Sequence, residues 1–298
     1  MLNQVAIVGT GLIGTSFALA LKRGNPQVNI LGIDRDDASV AQAIGRGAIN
    51  GACTYSQAGA ADLVLLAVPV RQIGEALAAL APHLAAHAVV IDAGSTKQDV
   101  IAAASSSLGS KASQFVACHP IAGRERHGPM AADVTLFDGK NVVMTPAAEN
   151  AEAALATARA AWQAVGANVV EMPAATHDAV FAAVSHLPHM LAFALVEELA
   201  SRPNAKLLFE HAASGFRDFT RIASSSPAMW RDIAINNREA LLAELDAYAA
   251  KVATLRGLID AADDSALFAL MDRAQAAREH WLSGQLDQFN QPTQDSGT

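Results

Sequence analysis

From Val5 to Gly14 the chain reads VAIVGTGLIG, an apolar run closed by three glycines at positions 9, 11 and 14, after which the pattern turns helical. Few stretches restrict a fold more. The first glycine permits a tight turn, the second lets another molecule approach the backbone, and the third lets a helix pack close to the preceding strand. The first N–H groups of such a helix have no partner within it, so its end attracts an anion such as a diphosphate. A second apolar run, VNILGID, stops at Asp34, 20 residues after Gly14, the distance at which a carboxylate meets a ribose.

Together these features select a dinucleotide. Asp34 can accept from both ribose hydroxyls of NAD and would repel a 2′-phosphate. NAD is therefore the expected cofactor, with NADP a weaker or alternative one. Arg35 can soften that discrimination by stacking on adenine or meeting a phosphate. The expected cofactor-binding positions are Gly9, Gly11, Leu12, Ile13, Gly14, Asp34 and Arg35, with Val68 and Pro69 at the end of the later strand ADLVLLAVP.

Strand and helix patterns alternate through the first half. VAIVG, VNILGID, ADLVLLAVP, HAVVIDAG, SQFVACHP and KNVVMTP read as strands, ADLVLLAVP too uniformly apolar to be half exposed. Such alternation predicts a parallel sheet covered by helices on both faces. NVVEM is a last short strand. Beyond Ala174 three long helical patterns fill 175–201, 227–260 and 263–284, separated by SRPN and SSSP. Ser226 and Pro227 read as an N-cap and first helical residue. Pro188, inside an apolar helical pattern, predicts a kink. The expected fold is α/β, a doubly wound Rossmann-type parallel sheet over 1–173. An all-helical dimerisation and substrate domain follows over 174–286, and then a disordered polar tail over 287–298.

The 298 residues are 52% hydrophobic and 17% charged, with a formal net charge of −8. An acidic chain does not suit nucleic acid or an anionic membrane, which need basic patches. Two cysteines without a CxxC pattern fit a reducing compartment. Residues 1–21 carry no charge, but no basic segment precedes them and glycines interrupt them, so neither an export signal nor a membrane span is expected. The expected location is cytoplasmic. His186 and His189 in SHLPH stand three apart, as metal ligands can, yet no third ligand accompanies them and no metal is expected.

In an open parallel sheet ligands bind beyond the carboxyl ends of the strands. Ser95, Lys97 and His119 all stand at strand ends and should converge where the nicotinamide would lie, and a neutral histidine can take a proton near neutral pH. Six segments in order, GTGLIG, DAGSTK, HPIAG, SHLPH, GFRDFTRIA and PAMWRDI, resemble the prephenate and arogenate dehydrogenases of tyrosine biosynthesis over residues 4 to 260. The resemblance implies oxidative decarboxylation of prephenate or arogenate, with hydride transfer to NAD and 4-hydroxyphenylpyruvate or tyrosine as product. It implies that His119 takes the proton of the substrate hydroxyl and that Ser95 holds the same hydroxyl. Arg221 would grip the ring carboxylate and His189 would bind substrate. Glu125 would stand at the entrance, with Ser214, Gly215 and Trp230 in the substrate pocket. Arg217, one turn before Arg221, binds substrate from a subunit edge or pairs with Asp218 or Glu210.

Two rival readings have the same plan. A 3-hydroxyacid dehydrogenase or imine reductase would place a lysine on a helix of the second domain, whereas the pattern at 175–201 has none. A non-catalytic dinucleotide sensor leaves Ser95, His119 and Arg221 without a reason for their placement. Three Ala/Leu-rich helices exceed what one small sheet can cover, so a homodimer through the helical part is expected.

Overall fold

The computed structural model describes residues 2–123 and 126–286. The strands are β1 (Gln4–Val8), β2 (Asn29–Ile33), β3 (Gly51–Ala52), β4 (Leu63–Leu66), β5 (Val89–Asp92), β6 (Phe115–Pro120), β7 (Asn141–Thr145) and β8 (Asn168–Glu171). They form one sheet in the order β3-β2-β1-β4-β5-β6-β7-β8. The intervening helices are α1 (Leu12–Gly24), α2 (Asp37–Gly45), α3 (Tyr55–Gly59), α4 (Val70–Leu80), α5 (Gln98–Leu108) and α6 (Glu152–Ala164).

The sheet is parallel except where β6 meets β7, which run antiparallel with His119 opposite Val143. The expected parallel sheet is therefore mixed at this one pair. The chain between β6 and β7 has no helix among its described residues, only a 3₁₀ turn at Pro129–Ala131. A parallel return needs a crossover of the kind a helix supplies. Alternate residues of β1 enter opposite layers. Val5 and Ile7 pack with Phe17 and Trp162, while Ala6 and Val8 pack with Ile73 and Leu77.

Beyond β8 the described residues are helical: α7 (Ala174–Phe181), α8 (Leu187–Ala200), α9 (Ala205–Glu210), α10 (Ser214–Thr220), α11 (Pro227–Asn236), α12 (Arg238–Asp260) and α13 (Asp264–Leu282). Ser226 caps α11 as expected, accepting from the Met229 amide at 3.4 Å. The expected single helix over 227–260 is two, divided at Asn237, and the short α9 and α10 were not foreseen. The irregularity expected at Pro188 takes the form of a π turn over Ala182–His186 between α7 and α8. Proline offers no N–H to the helical ladder, and a π turn re-satisfies the neighbouring groups.

The chain forms two compact units, Met1–Leu241 and Leu242–Thr298. In the first, α7 is bound to the sheet layer by the Asp178 carboxylate, which accepts from the amides of Lys97 and Gln98 at the start of α5, each at 2.9 Å. α11 adds a bond from Asn236 to Asp99 at 2.6 Å. In the second, the side chain of Asp263 caps α13 through the Ala266 amide at 3.0 Å. Ala174–Ala200 is, by length and composition alone, long and apolar enough to cross a membrane. It nevertheless carries His177, Asp178 and His186, all buried.

Candidate active site

Two clefts open at the carboxyl ends of the strands. The first, about 780 Å³, is lined by Gly9, Gly11, Asp34, Arg35, Val68 and Pro69, among others. Gly9 has φ +96°, and a methyl group there would lie 2.5 Å from the Ala67 carbonyl oxygen. One on Gly14 would collide with the Gly9 carbonyl, so both glycines serve packing. Gly11 differs, since a methyl group there meets no protein atom within 4 Å. Its bareness therefore serves whatever lies in the cleft. No side chain caps α1. The Asp34 carboxylate is held at the cleft by the Thr10 amide at 2.7 Å and the Asp36 amide at 3.1 Å. This donor set fits a dinucleotide: bare helix amides for a diphosphate and an anchored carboxylate for a ribose. Arg35 pairs with Glu75 across the mouth, both largely exposed.

The second cleft, about 480 Å³, shares Ala67, Val68 and Pro69 with the first. Leu12, Ile13, Ser95, His119, Arg126, His127, Ser225, Met229, Asp232 and Ile233 also line it. The structure thus brings Ser95 and His119 together beside the dinucleotide cleft. His119 ends the buried run of β6 and is half-buried. Its Nδ1 lies 2.8 Å from Nε2 of His177, and Nδ1 of His177 lies 2.8 Å from the Asp178 carboxylate. Phe181 closes the other side, its ring 4.9 Å from that of His119. Burial, then His177, Lys97 and His186, holds His119 well below the usual histidine range. It is therefore neutral and able to accept a proton.

Lys97 does not reach the cleft as expected. It is fully buried, donating to the Asp92 carboxylate and, at 2.7 Å, to the Cys118 carbonyl beside His119. Asp92 also accepts from the amides of Gly94 and Cys118, each at 2.8 Å. This buried network fixes the loop bearing Ser95 against the strand bearing His119.

His189 stacks on Trp230, with ring centres 3.6 Å apart, and its Nδ1 donates to the Ser185 carbonyl at 2.9 Å. Trp230 is buried, and its indole N–H has no partner among the described residues, nor has Nε2 of the buried His186. Neither His189 nor Trp230 lines the second cleft itself, although Met229, next in sequence to Trp230, does. Ser214, Gly215 and Arg221 lie on α10 and the following 3₁₀ turn, exposed in the single chain and outside the lining of both clefts. Glu125 lies outside the described residues. His177, Asp178 and Asp232 were not foreseen. The signal for the first two is a polar pair inside the apolar helix that begins at Ala174.

A doubly wound sheet with a dinucleotide cleft opening onto a half-buried histidine defines a nicotinamide-type dehydrogenase. The family model for the prephenate dehydrogenase nucleotide-binding domain matches residues 17–171, and that for the prephenate dehydrogenase dimerization domain matches residues 173–273. The chain is 36% identical over 283 residues to prephenate dehydrogenase of Bacillus subtilis, covering 94% of this chain and 76% of that protein. It is 35% identical over 280 residues to cyclohexadienyl dehydrogenase of Zymomonas mobilis, covering 93% and 95%. A solved structure of Aquifex aeolicus prephenate dehydrogenase with hydroxyphenyl propionate and NAD+ superposes with a TM-score of 0.88 at 35% identity, covering 94% of this chain and 98% of that one. The chain belongs to the prephenate dehydrogenase family.

Proposed function

We propose that the chain oxidises prephenate, arogenate or both with NAD, releasing carbon dioxide and yielding 4-hydroxyphenylpyruvate or tyrosine. The observation that carries this reading is the meeting of the two clefts at Ala67, Val68 and Pro69, with Ser95 and His119 beside that junction. NAD, when bound, accepts the hydride from the ring carbon that bears the hydroxyl. Gly11, Leu12 and Ile13 would face its diphosphate in the loop that Gly9 and Gly14 shape, Asp34 would hold its ribose, and Val68 and Pro69 its nicotinamide half. His119 takes the hydroxyl proton, and Ser95 orients that hydroxyl. Loss of the ring carboxylate as carbon dioxide then makes the ring aromatic, so the protein's task is chiefly orientation and removal of one proton.

The substrate carries two carboxylates, which need cationic partners once out of water. Arg221 is the partner for the ring carboxylate, and His189 with Trp230, Ser214 and Gly215 completes the substrate side, Glu125 standing at the entrance. In this division of labour residues 1–173 serve the dinucleotide and 174–286 the substrate and dimerisation. Tyr248, Val252, Phe268 and Trp281 of the second unit, and Val180 and Val184 of the first, are exposed apolar side chains in the single chain. A second copy covering them is the reading for this family. Free cysteines at 53 and 118 fit a reducing cytoplasm. The test is turnover of prephenate and arogenate with NAD and NADP, followed by NADH or NADPH absorbance. His119→Asn should retain substrate binding and lower kcat by about 100-fold or more. Absence of turnover with both substrates sinks the assignment.

A further inference from the structure

Resting on the reading of His119 as the base, we propose that His177 and Asp178 are positioning residues that fix the tautomer of His119 and leave its Nε2 as the proton-accepting nitrogen.

The assignment follows from the far end of the chain of hydrogen bonds. Asp178 accepts from the amides of Lys97 and Gln98, one on each carboxylate oxygen. Burial pushes its pKa up, but the bonds from His177 and these two amides outweigh that and hold it below the usual carboxylate value. An ionised carboxylate only accepts. The 2.8 Å contact from Nδ1 of His177 therefore carries the proton on the histidine. Burial is the largest influence on His177 and lowers its pKa, so the ring is neutral and its Nε2 has a lone pair. That nitrogen can only accept, and so Nδ1 of His119, 2.8 Å away, must donate. One ring nitrogen of His119 remains, Nε2, and it bears the lone pair.

The geometry leaves little freedom for another arrangement. His177 is fully buried and Asp178 nearly so, and Phe181 packs against both imidazoles, 4.9 Å from His119 and 4.5 Å from His177. The Asn237 side chain secures the same turn, donating to the Asp178 carbonyl at 2.8 Å and meeting Nδ1 of His186 at 3.1 Å. When His119 takes the substrate proton, its new positive charge is shared along aligned dipoles that end on Asp178. No step transfers a proton to Asp178. The device resembles the orienting carboxylate of a hydrolytic triad with a second imidazole interposed. It also joins the helical segment to the base, since Asp178 anchors α7 to the start of α5 while orienting His177.

Long-range nitrogen–proton correlation spectra of the full-length enzyme, labelled with ¹⁵N-histidine, test this directly. At neutral pH both His119 and His177 should show the Nδ1-protonated pattern. His177→Gln keeps an acceptor near the position of Nε2 and should preserve the His119 pattern and most of kcat. His177→Leu removes the acceptor; the His119 pattern should become mixed and kcat should fall about 10-fold or more, with KM for substrate and for NAD nearly unchanged. A His119 protonated on Nε2 in the wild type overturns the proposal, whether or not the Leu variant folds. So does a His177→Leu enzyme with normal kcat, provided that His119→Asn is impaired. Should His119→Asn itself turn over normally, it is the choice of base that fails, a result separable from the tautomer spectra.

Discussion

Replacing Lys97 by methionine tests how the loop under the active site is held. Lys97 and Asp92 are both fully buried, so the substitution leaves a carboxylate in the interior without its counter-charge. Methionine keeps an unbranched side chain that lacks only the terminal ammonium position, so the volume change is small. Asp92 retains two amide donors, from Gly94 and Cys118. Breaking a buried pair by removing one partner costs about 3–5 kcal/mol. A second route gives the same size. If Asp92 escapes by binding a proton, holding a carboxyl neutral at about pH 7 against an ordinary value of about 3.9 costs roughly 4 kcal/mol. For the unit Met1–Leu241, an unfolding entropy near 2.1 cal/mol/K per residue totals roughly 0.5 kcal/mol/K, so Tm should drop by about 8 °C. The sign of the pH dependence is also fixed. Burial already pushes the Asp92 carboxyl up against the pull of Lys97 and the two amides. In the variant the folded state binds more protons than the unfolded one, so the loss shrinks as pH falls from about 7 towards the ordinary carboxylate range. Calorimetric scans of both proteins at two pH values measure this. A Tm within about 2 °C of wild type, or a loss that does not shrink on acidification, would refute the reasoning. Asp92→Asn combined with Lys97→Met should recover roughly half of the loss, because no charge is then stranded.

Because burial holds His119 well below the usual histidine range, kcat/KM should stay level as pH falls through about 6.5 and decline only lower, when the base becomes protonated; an acid limb at or above that pH contradicts this environment. Asp34→Ser should raise the kcat/KM ratio of NADP to NAD by about 10-fold or more, through loss of repulsion of a 2′-phosphate. Glu75→Gln should add only a few-fold, since the exposed Arg35–Glu75 pair is worth about 1 kcal/mol at most. Arg221→Ala should raise KM for substrate about 10-fold with little change for NAD, and Arg217→Ala should do less; the reverse order would move the carboxylate to Arg217.

The glycine loop, the acid at Asp34 and the strand bearing His119 were legible because each is encoded within a few neighbouring residues. The antiparallel β7 was legible only in part: the stretch from 121 to 140 carries no helical pattern, but a missing crossover shows its meaning once strand order is known. Lys97 was misplaced because its counter-charge, Asp92, reads as one more residue at a strand end. The His119–His177 contact spans 58 residues of sequence. What the sequence does show is the oddity of a His-Asp pair in an apolar helix. Asn237 divides 227–260 for a similar reason: its side chain is committed to Asp178 and His186, an obligation invisible in local propensity. The exposed Arg221 owes its expected role to family likeness, and nothing in its own neighbourhood of sequence would have singled it out.

The π turn at Ala182–His186 stores a spare residue in the helical segment that carries His177 and His189. A π turn holds one residue more than an α turn, and each residue of an α-helix advances the helix by about 100°. Deleting exposed Val184, whose side chain is 67% accessible, would let α7 and α8 run on as one regular helix without opening any core. Because the residue lost is the turn's extra one, the helix downstream would keep nearly the same phase, with His177 beside His119 and His189 near Trp230. The same deletion within the regular helix α8 would instead turn everything beyond it by about 100°. The wide turn thus carries a residue in reserve, while buried Ala182 and His186 within it leave little room for substitution.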